Sequence, residues 1–456
     1  MVKASSIPLP KPGHIDGATH GLTGTMKIPH VPIKFHEERL RADPKRVVVR
    51  PFELAWQADK SEPARALLLV QDICKLGASE AAAELSQILA EFGERHWQIE
   101  RMFERRFLHV MDDLGLNPAN FEEPHRKLIG AYFCHEYSYA AAALMNPSII
   151  PHPDQSMLKA GSLRFVMSMR AVGEGHISSI AFREGILEPG PKLALWPTTG
   201  PALSAEQIPY TGKSPGGVTV ARDNDCTIGN CVIFPVTEAQ RNGLEDLRLV
   251  KFTHDDGQAE WIGTYTAYSG RSIRSELMRT SDFSAFELSP LRGPAASNKG
   301  MALFPRKVGG QFAMIGRQDG KRLHLLLSST LYEWPTNGTP LAEPKYSWEL
   351  VQIGNCGSPI EIDEGWIVLT HGVGAMRKYS IGAMLLDKSD PSRILGRTPH
   401  PILMASEADR DGYVPNVVYT CGAVKIGNDL FMPYGFSDSG IGFISFGIRD
   451  LLASME

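Results

Sequence analysis

The chain reads as a mainly β protein with one N-terminal α-helical module, and two patterns predict this. From about Asn146 onward, short apolar and β-branched runs recur between Gly, Pro, Asn and Asp, as in SLRFVMSMR, EWIGTYTAY, QFAMIGR, GWIVLTH and GIGFISF. Such runs at near-regular spacing fit an antiparallel sandwich, barrel or propeller, and spacing alone does not choose among them. Between Ser61 and about Met145 the apolar residues recur at helical spacing instead.

Taken in order, residues 1 to about 35 are rich in Pro, Gly and His without periodicity, which predicts an extended arm. RVVVRPFEL, Arg46 to Leu54, is a β-branched run expected to form a strand and to close a sheet made much later in the chain. Ala66, Leu69, Val70, Ile73 and Leu76 then fall on one helical face, with Gly77 as a stop. A second helix is expected from Ser79 towards Phe92 and on through HWQIERMFERRFLHVMDDLG. A third is expected from about Pro124 through HRKLIGAYFCHEYSYAAAALM. The division is an arm and strand over 1–55, a helical module over 56–145 and a β domain over 146–456.

Bulk properties exclude several classes. A net charge of -4 over 456 residues offers no concentrated basic surface for nucleic acid or an anionic membrane, so neither partner is expected. The N-terminal MVKASSIPLPKPGHIDG lacks a signal-peptide apolar run, and no later stretch approaches the roughly 20 apolar residues that span a bilayer. The expectation is a cytoplasmic protein. The six cysteines, Cys74, Cys134, Cys226, Cys231, Cys356 and Cys421, lack zinc-site spacing and read as reduced thiols. No metal or organic cofactor is expected.

One motif carries chemistry. GLEDLRLVKF, Gly243 to Phe252, sets Glu245 and Asp246 side by side ahead of Arg248. A carboxylic acid poised over a glycosidic oxygen drives sugar-bond cleavage. Adjacent strand residues point to opposite faces, so only one of the pair is expected to face a pocket. An ion pair at the surface is the plainer reading of such a motif.

Other strand ends carry residues suited to sugars or phosphate: Asn146 in ALMNPS, Arg170 in SMRAVG, Tyr268, Arg271 and Arg274 in TAYSGRSIR, Asn298 and Lys299 in NKGMAL, Arg317 in MIGRQD, His371 and Tyr379 in THGVGAMRKY, and Asp438 in YGFSDSG. The order and content of these segments resemble glycoside hydrolase family 130, the β-mannoside phosphorylases and β-mannosidases. The resemblance spans roughly Asn146 to Phe446 and leaves the helical module unaccounted for.

The resemblance implies a five-bladed β-propeller with its active site at the axis. It implies that Asp246, in the family's Glu-Asp-Pro-Arg motif with Leu247 in place of Pro, is the general acid. Glu245 supports it, and Arg170 and Asp438 hold a terminal mannose together with Asn146, Tyr268, Asn298, Lys299, Arg317 and Tyr379. His371, with Arg271 and Arg274, is implied to bind phosphate. Gln352 stands where phosphorylases of the family carry Lys.

The expected activity is that of a glycoside phosphorylase, a glycosyltransferase acting on β-mannosides. It would cleave terminal β-mannosides by inverting phosphorolysis to α-mannose 1-phosphate, with inorganic phosphate as co-substrate. The alternatives are an inverting β-mannoside hydrolase, with Glu174, Glu361 or Glu364 as base, and a non-catalytic glycan-binding propeller. The helical module is expected to cover the entrance or to mediate a homo-oligomer.

Overall fold

The computed structural model describes residues 30–52, 54, 64–198, 200–410 and 412–456. Most of the sequence expected to form the arm lies outside them.

Four helices follow Ala64: α1 (Arg65–Cys74), α2 (Ala78–Phe92), α3 (Ile99–Leu114) and α4 (Glu123–Tyr132). They enclose a common core containing Val70, Ile73, Leu85, Phe103, Phe107, Leu128 and Phe133. Two expectations need correction here. The second helix does not run on from Phe92, because Gly93 ends α2 and the chain turns before α3 so that His96 can bury its ring against Glu136, 2.7 Å away. The third ends at Tyr132, before the Ala-rich stretch begins, because Cys134–Ser138 pairs with Val47–Pro51 as a separate two-stranded sheet. Pairing and burial of Tyr137 and Leu144 in the β core override the helical propensity of the alanines.

The rest of the chain is mainly β and consists of antiparallel meanders. The first comprises Ala143–Pro151, Leu163–Val172, Ser178–Glu188 and Lys192–Leu195. The second comprises Gly243–Thr253, Ala259–Tyr268, Ile273–Thr280 and Ala285–Pro290, and touches the first through one parallel pairing, Gly243 with Ser178. The third comprises Ala302–Leu303, Phe312–Gly316, Leu323–Ser328 and Thr339–Ala342. The fourth comprises Gln352–Asn355, Trp366–Val373, Tyr379–Leu386 and Ile394–Arg397.

The fifth comprises Val418–Tyr419, Asp429–Phe436 and Gly440–Gly447, and its outer edge is completed by Lys34–Phe35 and Leu40–Arg41 from the start of the chain. Residues 34–41, and not the run Arg46 to Leu54, are therefore what closes a late sheet. The edge they cover would otherwise expose unpaired backbone groups.

Successive meanders pack face to face. One core joins the first to the second (Val166, Phe182, Leu244, Phe286), the next joins the second to the third (Phe252, Leu277, Met314, Leu326), and another joins the third to the fourth (Ile315, Ile353, Trp366, Val368). A fourth core lies between the fourth and fifth (Leu369, Ile381, Met432, Ile444), and a fifth returns from the fifth to the first (Phe431, Phe443, Phe165, Met167). This explains the near-continuous apolar runs in the sequence: every residue of Trp366–Val373 is buried, since both faces of that strand meet another sheet.

Candidate active site

Two bulges build the site. The strand Gly243–Thr253 slips register against its neighbour between Glu245 and Arg248, and Ala143–Pro151 slips between Met145 and Ser148. At these slips Asp246 (φ 56°) and Asn146 (φ 51°) adopt left-handed backbone, a conformation that Asp and Asn tolerate better than other side chains. Pro147, which has no N–H for the ladder, follows Asn146 directly. A bulge re-aims a side chain, and here both aim into one cavity.

That cavity, of about 250 Å³, is lined by Asn146, Arg170, Asp246, Arg248, Lys299, Gly300, Arg317, Gly354, Asn355, His371, Arg377, Tyr379, Val417, Tyr419 and Asp438. All five meanders, or the segments leading into them, contribute. A wider cleft of about 570 Å³ between α3 and the segment Ser204–Tyr210 contains none of the sequence-predicted residues.

Of those residues, Asn146, Arg170, Asp246, Lys299, Arg317, His371, Tyr379 and Asp438 meet in the cavity. Glu245 does not line it but lies against it, 2.7 Å from Arg170 Nη2, while Arg170 Nη1 is 3.6 Å from Asp246 Oδ1. Strict alternation would have put the two carboxylates on opposite faces, whereas the bulge lets one guanidinium serve both. Asn298 turns its amide to the Gln318 carbonyl. Tyr268 caps its own turn at Gly270, Arg271 is exposed in that turn, and Arg274 is bound to Glu276 at 2.6 Å. Gln352 is absent from the lining. Its strand reaches the cavity further on, at Gly354 and Asn355.

The sequence reading missed Asn355, Arg377 and Tyr419, and took Arg248 only as a neighbour of the acidic pair. Arg248 is 3% exposed, donates to the Asp246 backbone carbonyl at 2.9 Å and to the Tyr419 hydroxyl at 2.7 Å, and so ties the second meander to the fifth. Arg377 is exposed at the mouth, on a hairpin whose Met376 and Arg377 both have positive φ. A cation in THGVGAMRKY was visible in the sequence, but its reach depends on that hairpin.

The charges are arranged unevenly. Five cations line the cavity with two carboxylates, Asp246 and Asp438. Burial pushes the Asp246 carboxyl up, but Arg170, Arg248, Lys299 and the 2.6 Å bond from Asn146 together hold it below the usual range. Burial and the neighbouring Asp246 push Asp438 up, against Arg170 and Arg377. Burial also raises Glu245, against the pull of Arg170. His371 is driven well below its ordinary value by burial and by Arg317 and Arg248.

Several polar atoms around this cavity have no hydrogen-bond partner within the protein: Asn146 Oδ1, Arg248 Nε, Arg317 Nε and Asn355 Nδ2. Buried polar groups are rarely left so unless a ligand or water completes them. Glu361, one of the carboxylates considered as a hydrolytic base, is instead held by Arg306 at 2.8 Å, and neither it nor Glu174 nor Glu364 lines the cavity. Among the described residues there is no cluster of three or more side chains suited to hold a metal ion. No helix among them is long and apolar enough to cross a membrane.

Similarity to known proteins identifies the family. A family model described as beta-1,4-mannooligosaccharide phosphorylase, that of glycoside hydrolase family 130, matches residues 224–456, more than half of the chain. A 1,2-beta-oligomannan phosphorylase of Thermoanaerobacter is 30% identical over 243 residues, covering 52% of this chain and 79% of that protein. A beta-1,2-mannobiose phosphorylase of Listeria innocua is 29% identical over 232 residues, covering 49% of this chain and 63% of that protein. A Bacteroides ovatus structure described as a glycoside hydrolase superposes with a TM-score of 0.50 at 16% identity, over 70% of this chain and 90% of that one, which supports the fold alone. By its family match and by its relatives, the chain belongs to glycoside hydrolase family 130.

Proposed function

We propose that this protein is a glycoside phosphorylase that cleaves terminal β-mannosides with inorganic phosphate, inverting the anomeric centre to give α-mannose 1-phosphate. The observation that carries the reading is the charge of the cavity, where five cations stand with two carboxylates and none of the three candidate bases is present. A hydrolase needs a second carboxylate roughly 6.5–9.5 Å from the acid to activate water, whereas a phosphorylase needs a cationic cradle for its nucleophile. Arg is well shaped for a tetrahedral anion, and Arg317 and Lys299 supply fixed charge at that end.

In the proposed step hydrogen phosphate forms a bond to the anomeric carbon as the bond to the leaving oxygen breaks. Asp246 gives its proton to that oxygen, directly or through a sugar hydroxyl, and the proton carried by phosphate replaces it. A carboxyl held below its usual range is ionised near neutral pH and has no proton to give on its own. Bound phosphate dianion offsets the same cations that hold Asp246 down, so binding the nucleophile also loads the acid. Asp438 and Arg170, with Asn146 and Tyr379, hold the terminal sugar through charge-assisted bonds, while Glu245 holds Arg170 from outside the cavity. In this reading Tyr268, Asn298, Arg271 and Arg274 lie outside the cavity and take no direct part in binding sugar or phosphate.

The meanders are read as the five blades of a β-propeller, a reading supported by five intersheet cores in cyclic order. The helical module is read as residues 56–145, its last helix ending at Tyr132, and the catalytic domain as 146–456, with residues 34–41 of the arm and strand (1–55) joining the edge of the fifth meander. The test is incubation with β-1,2- and β-1,4-linked mannobiose, with and without phosphate, measuring mannose 1-phosphate against free mannose. Phosphate-dependent mannose 1-phosphate is expected. Phosphate-independent release of mannose would replace this reading with hydrolysis, and binding without turnover would leave a glycan-binding propeller.

A further inference from the structure

We infer that His371 is a positioning residue that acts through Arg317: a neutral imidazole whose Nε2 accepts a hydrogen bond from the Arg317 guanidinium and so aims that guanidinium at the phosphate. The inference rests on the phosphorolytic reading and goes beyond it, since it gives phosphate the arginine and denies it a direct bond from the ring.

The geometry fixes the roles. Arg317 Nη1 lies 3.4 Å from His371 Nε2. A guanidinium has only donors, so Nε2 must be the acceptor and the ring proton sits on Nδ1. That nitrogen faces the Cys356 Sγ at 3.7 Å and the backbone of Asn355, which can take its proton. Cys356 is a thiol rather than a thiolate there, its pKa pushed by burial up to about 12. An imidazolium would instead place a third cation against Arg317 and Arg248 in a site that is 4% exposed. Asp246 acts on the ring from across the cavity in the opposite sense, and burial with the two arginines outweighs it.

The ring also has nowhere else to go. It stacks nearly parallel on Tyr379, centroids 5.8 Å apart, and leans on Tyr419 at 4.9 Å. On the paired strand Gly354 lies opposite, where a Cβ would come within 2.3 Å of the ring Cε1. A residue locked on three sides is suited to hold another in place. With Nη1 committed to His371, Arg317 keeps a buried Nε without a protein partner, and this is the N–H that a tetrahedral anion would complete.

Two measurements decide the matter. The first reads the ring alone: ¹⁵N NMR of the imidazole in the ligand-free protein between pH 5.5 and 8. A neutral ring protonated on Nδ1 throughout is expected. An Nε2–H tautomer, or a titration at the ordinary histidine value, overturns the inference whether or not the protein turns anything over.

The second is a double-mutant cycle on phosphate-dependent turnover with His371→Leu, His371→Gln and Arg317→Lys. His371→Leu is expected to raise the KM for phosphate by about tenfold or more, as expected for losing a hydrogen bond to a charged group, with little change in the KM for the sugar. His371→Gln, which keeps a neutral acceptor, should recover most of it. Adding His371→Leu to Arg317→Lys should cost almost nothing further. Multiplying effects would mean that the ring touches phosphate independently and would overturn the inference. If the wild type shows no phosphate-dependent turnover, the functional reading falls while the NMR result still decides the role of the ring.

Discussion

The Asn146 side-chain amide donates a 2.6 Å hydrogen bond to Asp246 Oδ1, and each residue occupies left-handed backbone at a bulge in the first strand of its meander. The same local device thus occurs in two neighbouring meanders and makes the two side chains meet. Left-handed backbone at a non-glycine residue costs of order 1 kcal/mol or more and persists where surrounding structure enforces it, as happens at functional sites.

If Asp246 is the proton donor, Asp246→Asn should lower kcat by about 10² to 10⁴, the usual contribution of general acid catalysis. The amide keeps the size of the carboxyl and tolerates the same backbone, so sugar binding should survive. Wild-type turnover in this variant, measured as release of mannose 1-phosphate, would remove Asp246 from the role.

Asn146→Gly separates the bond from the backbone, because glycine adopts φ 51° without strain. The amide of Asn146 favours the ionised form of Asp246, so its loss raises the Asp246 pKa. The basic limb of the kcat/KM profile, where the donor loses its proton, should therefore move to higher pH. A limb that stays in place would show that the bond positions Asp246 without tuning it.

Much of this site is legible in the sequence, for a physical reason. Strands buried on both faces must be apolar throughout, so the sheets announce themselves in runs such as WIVL, and the charged residues that interrupt their ends stand out. What was hidden depends on long-range pairing. Asn355 and Tyr419 look like ordinary strand residues until the first strands of the fourth and fifth meanders are seen to turn them to a common cavity. Residues 34–41 carry no strand signal of their own and gain their structure from the edge of Gly440–Gly447. HEYSYAAAALM reads as helix by propensity and becomes two strands because Tyr137 and Leu144 are claimed by the core of the β domain.

The attachment of the helical module invites a comparison of magnitudes. Arg101 pairs with Asp223 and Arg105 with Glu206 across the boundary, but both arginines are substantially exposed, and such pairs are worth about 0–1 kcal/mol. Val48 and Tyr137, from the two-stranded sheet beside the module, instead enter the core with Phe234 and Phe431. Phe234→Ala should cost about 3–5 kcal/mol and Arg101→Ala less than about 1 kcal/mol in urea unfolding. The reverse order would make the ion pairs the anchor.

Acid should expose His371 as a point of weakness. Its folded-state pKa lies well below the ordinary value of 6.5, because burial, Arg317 and Arg248 oppose protonation. Above pH 6.5 the ring is neutral in both folded and unfolded chains and contributes nothing to the pH dependence. Below it the unfolded chain takes up a proton that the folded one refuses, so stability falls with pH until the depressed folded value is reached. Glutamine at this position has no proton to gain. The midpoint of thermal unfolding should therefore drop less between pH 7 and pH 5 in His371→Gln than in the wild type, even if the variant is less stable at pH 7. Equal losses in both would mean that His371 already carries a proton in the fold, and that its contact with Arg317 is not an accepted hydrogen bond.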